Sequence, residues 1–195
     1  MPRVFALPLF LCFLVFPASA AAQTSPTGGA RFSDADPAPI VAPGSKATLL
    51  PDGSAAAPAD APPQVQAAIF AVNKLLDKPY KYGGGHAKVE DTGYDCSGAV
   101  SYALIAAGAL KSPLDSGSFM RWGLKGKGTW ITVHTNPGHA YAVIAGLRLD
   151  TSTGGIVSRR VTRTAERGPR WRVALRDTRG FTARHPLGLL SLIHI

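Results

Sequence analysis

The sequence predicts one globular domain built from both helices and strands, with tails on either side. Its 195 residues are 46% hydrophobic and 17% charged, which suits a domain with an ordinary core. One region has apolar residues at helical spacing, and another is typical of two short strands joined by a tight turn. Two cysteines are too few for a disulfide-stabilised miniprotein, so the fold must depend on its hydrophobic core.

The first 22 residues predict an export signal. Arg3 gives a positive start, Val4 to Phe16 are almost all apolar, and Ala18-Ser19-Ala20 is the small-x-small pattern that a signal peptidase reads. The apolar run is shorter than the roughly 20 residues needed to span a bilayer. We therefore expect cleavage, no stable membrane insertion afterwards, and a secreted or cell-envelope location.

The tails predict little structure of their own. Residues 23–62 are dominated by Ala, Pro, Gly, Ser and Thr, which is typical of a flexible linker. We expect order to begin at Gln64 and assign the folded domain to residues 63–189. Residues 190–195 look like a translated sequencing-library adapter, so we exclude them, with His194, from functional reasoning.

Two helices are predicted in the first half of the domain. The first covers Gln64 to Leu76, where apolar residues recur at helical spacing. The second follows Asp95, whose side chain can accept a hydrogen bond from the first free amides of the helix. It continues through a strongly apolar run until Gly108 closes it. Cys96 therefore lies on the first turn of the second helix.

Strands are predicted in the second half. Thr129 to His134 is strand-like, and Asn136-Pro137-Gly138 predicts a turn after it. His139 to Leu149 is apolar and suits β-structure, but Ala145-Gly146 interrupts it. We interpret this stretch as two strands joined by a tight hairpin.

Cys96 is the candidate nucleophile, because it is the only cysteine left once the signal is removed. A thiol reacts as its thiolate, which a helix N-terminus and a neighbouring imidazolium both favour. Asp95 opposes this by its charge, so we assign it a capping role only. A buried, unreactive cysteine is the competing interpretation.

His139 is the strongest candidate for the base. It opens the most convincing strand directly after a Pro-Gly turn, where its ring can be rigidly aimed. A strand-end histidine that serves only the turn is the alternative. The other histidines occupy less defined positions: His86, His134, His185 and His194.

Asp150 is the candidate for orienting the imidazole. If Ala145 and Gly146 form a two-residue turn, Ile144 faces Leu147 across the hairpin. Asp150 then lies diagonally beside His139 on the same face of the sheet, where it can accept the other ring N–H. A shift of the turn by one residue would move Asp150 to the other face, which leaves a plain strand-end aspartate as the alternative.

Three blocks of residues together resemble the NlpC-type papain-like cell-wall peptidases: Tyr80-x-x-Gly83-Gly84, Asp95-Cys96-Ser97-Gly98 and Gly138-His139. The resemblance covers residues 64 to 152. It implies an α+β papain-like fold in which the nucleophile, at a helix N-terminus, packs on an antiparallel sheet that carries the histidine. It also implies hydrolysis of amide bonds in peptidoglycan stem peptides, with the bond between D-glutamate and the diamino acid as one candidate.

The resemblance also implies roles for individual residues. Cys96 attacks the carbonyl, His139 takes and returns the proton, and Tyr80 with the Cys96 amide stabilises the oxyanion. Ser97 and His86 are expected at the oxyanion or substrate. The family often has a second histidine as the orienting residue, and this chain offers an aspartate there. No cofactor and no metal are expected, since closely spaced Cys and His ligands are missing from the sequence.

The sequence leaves other functions open. A surplus of basic residues, 21 against 12 acidic ones, gives a net charge of +9 and is dense in the C-terminal region. For an exported protein this favours anionic cell-wall polymers over nucleic acid, with a merely solvated surface as the alternative. A catalytically silent wall-binding module, or another Cys–His amidohydrolase or acyltransferase, would also fit the motifs.

Overall fold

The structure is a computed structural model that describes Met1 and residues 39–152, 168–173 and 176–189. These ranges hold helices α1 (Pro63–Asn73), α2 (Cys96–Ala106) and α3 (Ser116–Phe119). The strands within them are β1 (Val41–Ala42), β2 (Thr48–Leu49), β3 (Ala55–Pro58), β4 (Leu124–Lys125), β5 (Ile131–Asn136), β6 (His139–Ile144), β7 (Leu147–Asp150), β8 (Arg170–Arg172) and β9 (Thr182–His185). The predicted α+β class is confirmed.

The strands form two sheets. A three-stranded sheet has the order β1-β3-β2, and a six-stranded sheet has the order β4-β9-β5-β6-β7-β8 with every neighbouring pair antiparallel. The larger sheet contains both strands of the predicted hairpin. It is therefore the element that positions the candidate base and its carboxylate.

The prediction of a flexible linker is wrong for the part that the structure describes, residues 39–62. Strands β1 to β3 form there, and Ala55, Ala56 and Ala57 are fully buried against the rest of the molecule. Asn73 in α1 fastens β3, since its side chain donates to the Ala55 carbonyl and accepts from the Ala55 amide, both at 2.9 Å. Alanine side chains are small enough to let strand and helix approach closely, so a composition typical of a linker packs into the core.

The hairpin has the predicted register. Ile144 pairs with Leu147, and the two turn residues both adopt positive φ, 46° at Ala145 and 94° at Gly146. Positive φ at both central positions is the hallmark of a type I′ turn, which matches the twist of the flanking strands. The two-residue turn at Ala145 and Gly146 therefore sets the register of β6 against β7.

Helices α1 and α2 pack on one face of the large sheet. On β6 the alternate residues Ala140, Ala142 and Ile144 are fully buried in the same apolar cluster as Val100 and Leu104 of α2. Tyr141 and Val143 point to the opposite face, because side chains alternate along a strand. The chemistry-bearing residues described below lie along this second face and at the start of α2.

Several predictions lie outside the described residues. These are the signal peptide except Met1, the linker up to residue 38, and residues 190–195. Within the described ranges, no helix is long and apolar enough to cross a membrane.

Replacement of Asn73 by alanine should lower stability. The Asn73 side chain makes the two hydrogen bonds to the Ala55 backbone and also accepts one from the Trp171 indole N–H at 2.8 Å. Alanine would therefore remove three hydrogen bonds at once. At about 1 kcal/mol for each bond, the free energy of unfolding should fall by roughly 2–4 kcal/mol in chemical denaturation. Gln64→Ala, at an exposed position of the same helix, serves as the control. Equal stability of the two variants would contradict the role of Asn73.

Candidate active site

Cys96 is the first residue of α2 and is partly exposed. Asp95 caps the helix as predicted, because its Oδ1 accepts a hydrogen bond from the Gly98 amide at 2.7 Å. The first amides of a helix lack intrahelical partners and carry partial positive charge. The thiol therefore lies where a negative charge is favoured.

The glycine-rich loop packs directly on the start of α2. A Cβ atom on Gly98 would lie only 2.0 Å from the carbonyl oxygen of Gly84, so the two backbones approach as closely as glycine allows. Asp95 holds the loop from both sides, since its amide donates to the Gly84 carbonyl at 3.2 Å and its Oδ2 accepts from the Gly83 amide at 3.0 Å. Because of these contacts, the glycines of the two sequence blocks fix where the helix begins.

His139 is the first residue of β6, and the preceding turn fixes its backbone. Its amide donates to Oδ1 of Asn136 at 2.9 Å, and its side chain is 19% exposed. Nε2 of the ring lies 3.0 Å from Oδ1 of Asp150, as the hairpin register predicts. Nδ1 is then the ring nitrogen left for the thiol of Cys96.

Cys96 and His139 form a hydrogen-bonded pair that favours a thiolate and an imidazolium. Burial alone would raise the pKa of the thiol, but hydrogen bonds with the His139 side chain and the Ala140 amide, helped by the imidazolium charge, bring it below its ordinary 9.0. Burial alone would lower the pKa of His139, but hydrogen bonds with Asp150 and Cys96 raise it to about 9. Both shifts favour the ion pair of thiolate and imidazolium, in which the thiolate is the nucleophile.

Asp150 is a buried carboxylate with several partners. The residue is 2% exposed, and its Oδ1 also accepts from the amide and the hydroxyl of Ser152, at 2.9 and 3.0 Å. Its Oδ2 lies 3.1 Å from Nη1 of Arg176 and 3.4 Å from Nε of Arg148. Burial opposes its ionisation, yet the bonds from His139 and Ser152 lower its pKa below the ordinary value. Asp150 thus carries the negative charge that stabilises a protonated His139.

Sequence reasoning missed the two arginines and Ser152. The position of Arg148 could have been predicted, because it lies two residues before Asp150 on the same strand and so shares its face. No sequence pattern points to Arg176, since it is one of many arginines in a basic region and contacts Asp150 only through the tertiary fold.

Ser97 and His86 are placed together, in a cluster around Asp95. Nε2 of His86 lies 3.0 Å from Oδ1 of Asp95, and the Ser97 hydroxyl lies 3.1 Å from the same oxygen and 3.2 Å from the His86 ring. Ser97 is buried, whereas His86 is partly exposed. Both side chains therefore bond to the residue that caps α2, which gives them a structural role. A role of Ser97 or His86 in binding substrate stays a prediction.

Tyr80 lies next to the segment that leads into α2. Its backbone forms an isolated parallel bridge with Tyr94, two residues before Cys96, and the tyrosine is 40% exposed. It is therefore accessible close to the nucleophile, and its share in an oxyanion site stays a prediction.

Comparison with known proteins assigns no family to this chain. No family model matches it, and a search of curated proteins finds no match either. Within the described ranges, no group of three or more His, Cys, Asp and Glu side chains is arranged to hold a metal ion.

Alkylation of Cys96 should report its lowered pKa. In a Cys12→Ala background, the labelling rate with iodoacetamide should reach half its maximum below pH 9.0, because the thiolate is the reacting species. His139→Ala removes the hydrogen bond and the positive charge that lower the pKa of the thiol, so its midpoint should move to higher pH. Intact-mass measurement of labelling gives both midpoints.

His185→Ala is the matched control, since that ring is bonded at 3.1 Å to the Gly126 carbonyl instead. It should leave the midpoint unchanged. Identical midpoints in the unaltered chain and in His139→Ala would contradict the ion pair.

Proposed function

We propose that this chain is an exported cysteine peptidase that hydrolyses amide bonds in the stem peptides of peptidoglycan. The observation that carries the proposal is the His139 imidazole, which lowers the pKa of the Cys96 thiol at a helix N-terminus and lies 3.0 Å from the buried Asp150 carboxylate. This is the arrangement that nucleophilic catalysis by cysteine requires: a thiolate, a proton carrier beside it, and a group that fixes the carrier's tautomer.

The chemistry follows from the placement of these groups. The Cys96 thiolate attacks the carbonyl carbon of the scissile amide, and the developing oxyanion accepts hydrogen bonds from the Cys96 amide and the Tyr80 hydroxyl. His139 gives its proton to the leaving amine, and the amide bond breaks to leave a thioester. His139 then takes a proton from water as the water attacks the thioester, and loss of the Cys96 thiolate releases the acid and restores the thiolate–imidazolium pair.

The substrate class is supported by the sequence motifs. Three blocks resemble the NlpC-type cell-wall peptidases, and all three meet at one place: the Gly83-Gly84 loop packs on the start of α2, and His139 bonds with Cys96. A papain-like arrangement of helix and sheet accords with an α2 that packs on β6. An export signal and a net charge of +9 suit a protein that works on an anionic cell wall.

Cys96→Ala should abolish release of peptide from defined muropeptides. Because the variant loses the nucleophile, we expect a loss on the order of 10³-fold or more in kcat/KM, with an unchanged thermal unfolding transition. Cys12→Ala, which changes the other cysteine, should keep full activity. Mass spectrometry of the products gives the scissile bond.

The same experiment separates the competing functions. Hydrolysis gives two products whose masses sum to the substrate plus one water, whereas an acyltransferase joins one fragment to an amine. A chain that binds sacculi but releases no peptide would be a wall-binding module, and full activity of Cys96→Ala would also contradict the proposal.

Asp150→Asn should shift the alkaline limb of the activity profile. His139 is protonated below its raised pKa of about 9 and loses this proton as the pH rises through that value. The neutral amide removes the main charge that raises this pKa, so the alkaline limb of kcat/KM should move down toward pH 6.5. Asp77→Asn, at an exposed aspartate, should leave the limb in place. An unmoved limb in Asp150→Asn would contradict the role of Asp150.

A further inference from the structure

A pocket of about 830 Å³ lies on the face of the large sheet that points away from the helices. Its base comes from two cross-strand pairs of β5 and β6, His134 with Tyr141 and Thr132 with Val143. The pocket is large enough for a small organic molecule. Neither Cys96 nor His139 lines it, although Arg176, which pairs with Asp150, lies in its wall.

Three side chains that line the pocket carry buried polar atoms without a hydrogen-bond partner among the described residues. These atoms are Nε1 of Trp130, Nδ1 of His134 and the hydroxyl of Tyr141. The three residues are 6%, 5% and 1% exposed. Burying such groups unpaired is unfavourable, and a small rearrangement around a bound molecule would give them partners. Three unpaired atoms around one cavity therefore indicate a ligand site.

The pocket is fixed in shape at its base. The rings of His134 and Tyr141 stack with centroids 4.8 Å apart and an angle of 13° between their planes. Arg176 lies over the Tyr141 ring at 5.3 Å and is held by Asp150, which is outside the pocket. A ligand would thus meet a preformed surface with an anchored cation.

The charges around the pocket favour an anion. Lys46, Lys127 and Arg176 contribute three cations, whereas Asp177 contributes one carboxylate. Burial first, and then the charge of Lys127, lower the pKa of His134, so its ring is neutral at neutral pH and either ring nitrogen can donate. The Trp130 indole can only donate, and the Tyr141 hydroxyl can also donate. A ligand that accepts hydrogen bonds and carries negative charge is complementary to this set.

We propose that this pocket binds the acidic group of a small organic anion, either a carboxylate or a phosphate. The site does not depend on the nucleophile, and it adds a binding function on the face of the sheet opposite the helices. Carboxylate and phosphate share the chemistry that the pocket recognises, so the experiment must distinguish them.

The test is a titration of the full chain, labelled with ¹⁵N, followed through the indole N–H resonances. The probes are glutarate, sn-glycerol 3-phosphate and inorganic phosphate, with glutaramide and glycerol as uncharged controls. The Trp130→Phe variant identifies the Trp130 signal among those of the three tryptophans. We expect a saturable shift of the Trp130 indole with an anion and none with its uncharged counterpart. Comparison of glutarate with the phosphates decides which acidic group is preferred.

Charge-reversal variants locate the site. Lys46→Glu and Lys127→Glu should each weaken the binding by about tenfold, because each replaces attraction by repulsion close to the anion. Lys111→Glu makes the same change at an exposed position outside the pocket and should leave the affinity within about a factor of two. No saturable shift with any of the three anions would overturn the proposal. An equal loss in Lys111→Glu would also overturn it, since it would indicate general attraction by a basic surface.

The outcome is independent of the proposed peptidase activity. Repeating the titration with Cys96→Ala should give the same affinity, since the thiol does not line the pocket. A chain that binds the anions but fails to cleave muropeptides would contradict the peptidase proposal alone. A chain that cleaves muropeptides without binding the anions would contradict the pocket alone.

Discussion

The buried carboxylate of Asp150 is the constraint on which the candidate site depends. A charged group at 2% exposure is stable only when it is paired, and here a histidine and two arginines lie around it. These partners come from β6, β7 and the segment before β9, so pairing one carboxylate also fixes where three parts of the chain meet. Removal of one partner from a buried pair costs about 3–5 kcal/mol in other proteins, which gives the scale of this constraint.

A two-residue turn controls that pairing. Because Ala145 and Gly146 occupy both central positions of a tight hairpin with positive φ, Ile144 must face Leu147, and Asp150 must share the face of His139. A slip of one residue would carry Asp150 to the helix face and leave its charge in the apolar core. The backbone conformation at residues 145 and 146 therefore places Asp150 beside His139. Through the protonation of His139 it also affects the thiol of Cys96.

The sequence could predict what local rules determine. The cap at Asp95, the helix start at Cys96, the hairpin and the bond between His139 and Asp150 all follow from short-range patterns, and the structure has each of them. The strand β3 could not be predicted because an alanine-rich stretch has no alternation of apolar and polar residues to mark it as β-structure. Arg176 could not be predicted because its contact with Asp150 is set by the path of the chain between them, which composition does not encode.

The two carboxylates nearest the thiol act in opposite directions, and their partners explain why the thiolate is still favoured. Asp95 raises the pKa of Cys96 by its charge, but it is held by the Gly98 and Gly83 amides, and its main effect is to fix the start of α2. Asp150 acts through His139, whose positive charge it stabilises, and that imidazolium lowers the pKa of the thiol. Part of the negative charge of Asp95 is offset by the two amides that donate to it. Asp95, adjacent to the thiol in sequence, therefore serves the fold, whereas Asp150, 54 residues after Cys96, favours the charged form of the pair.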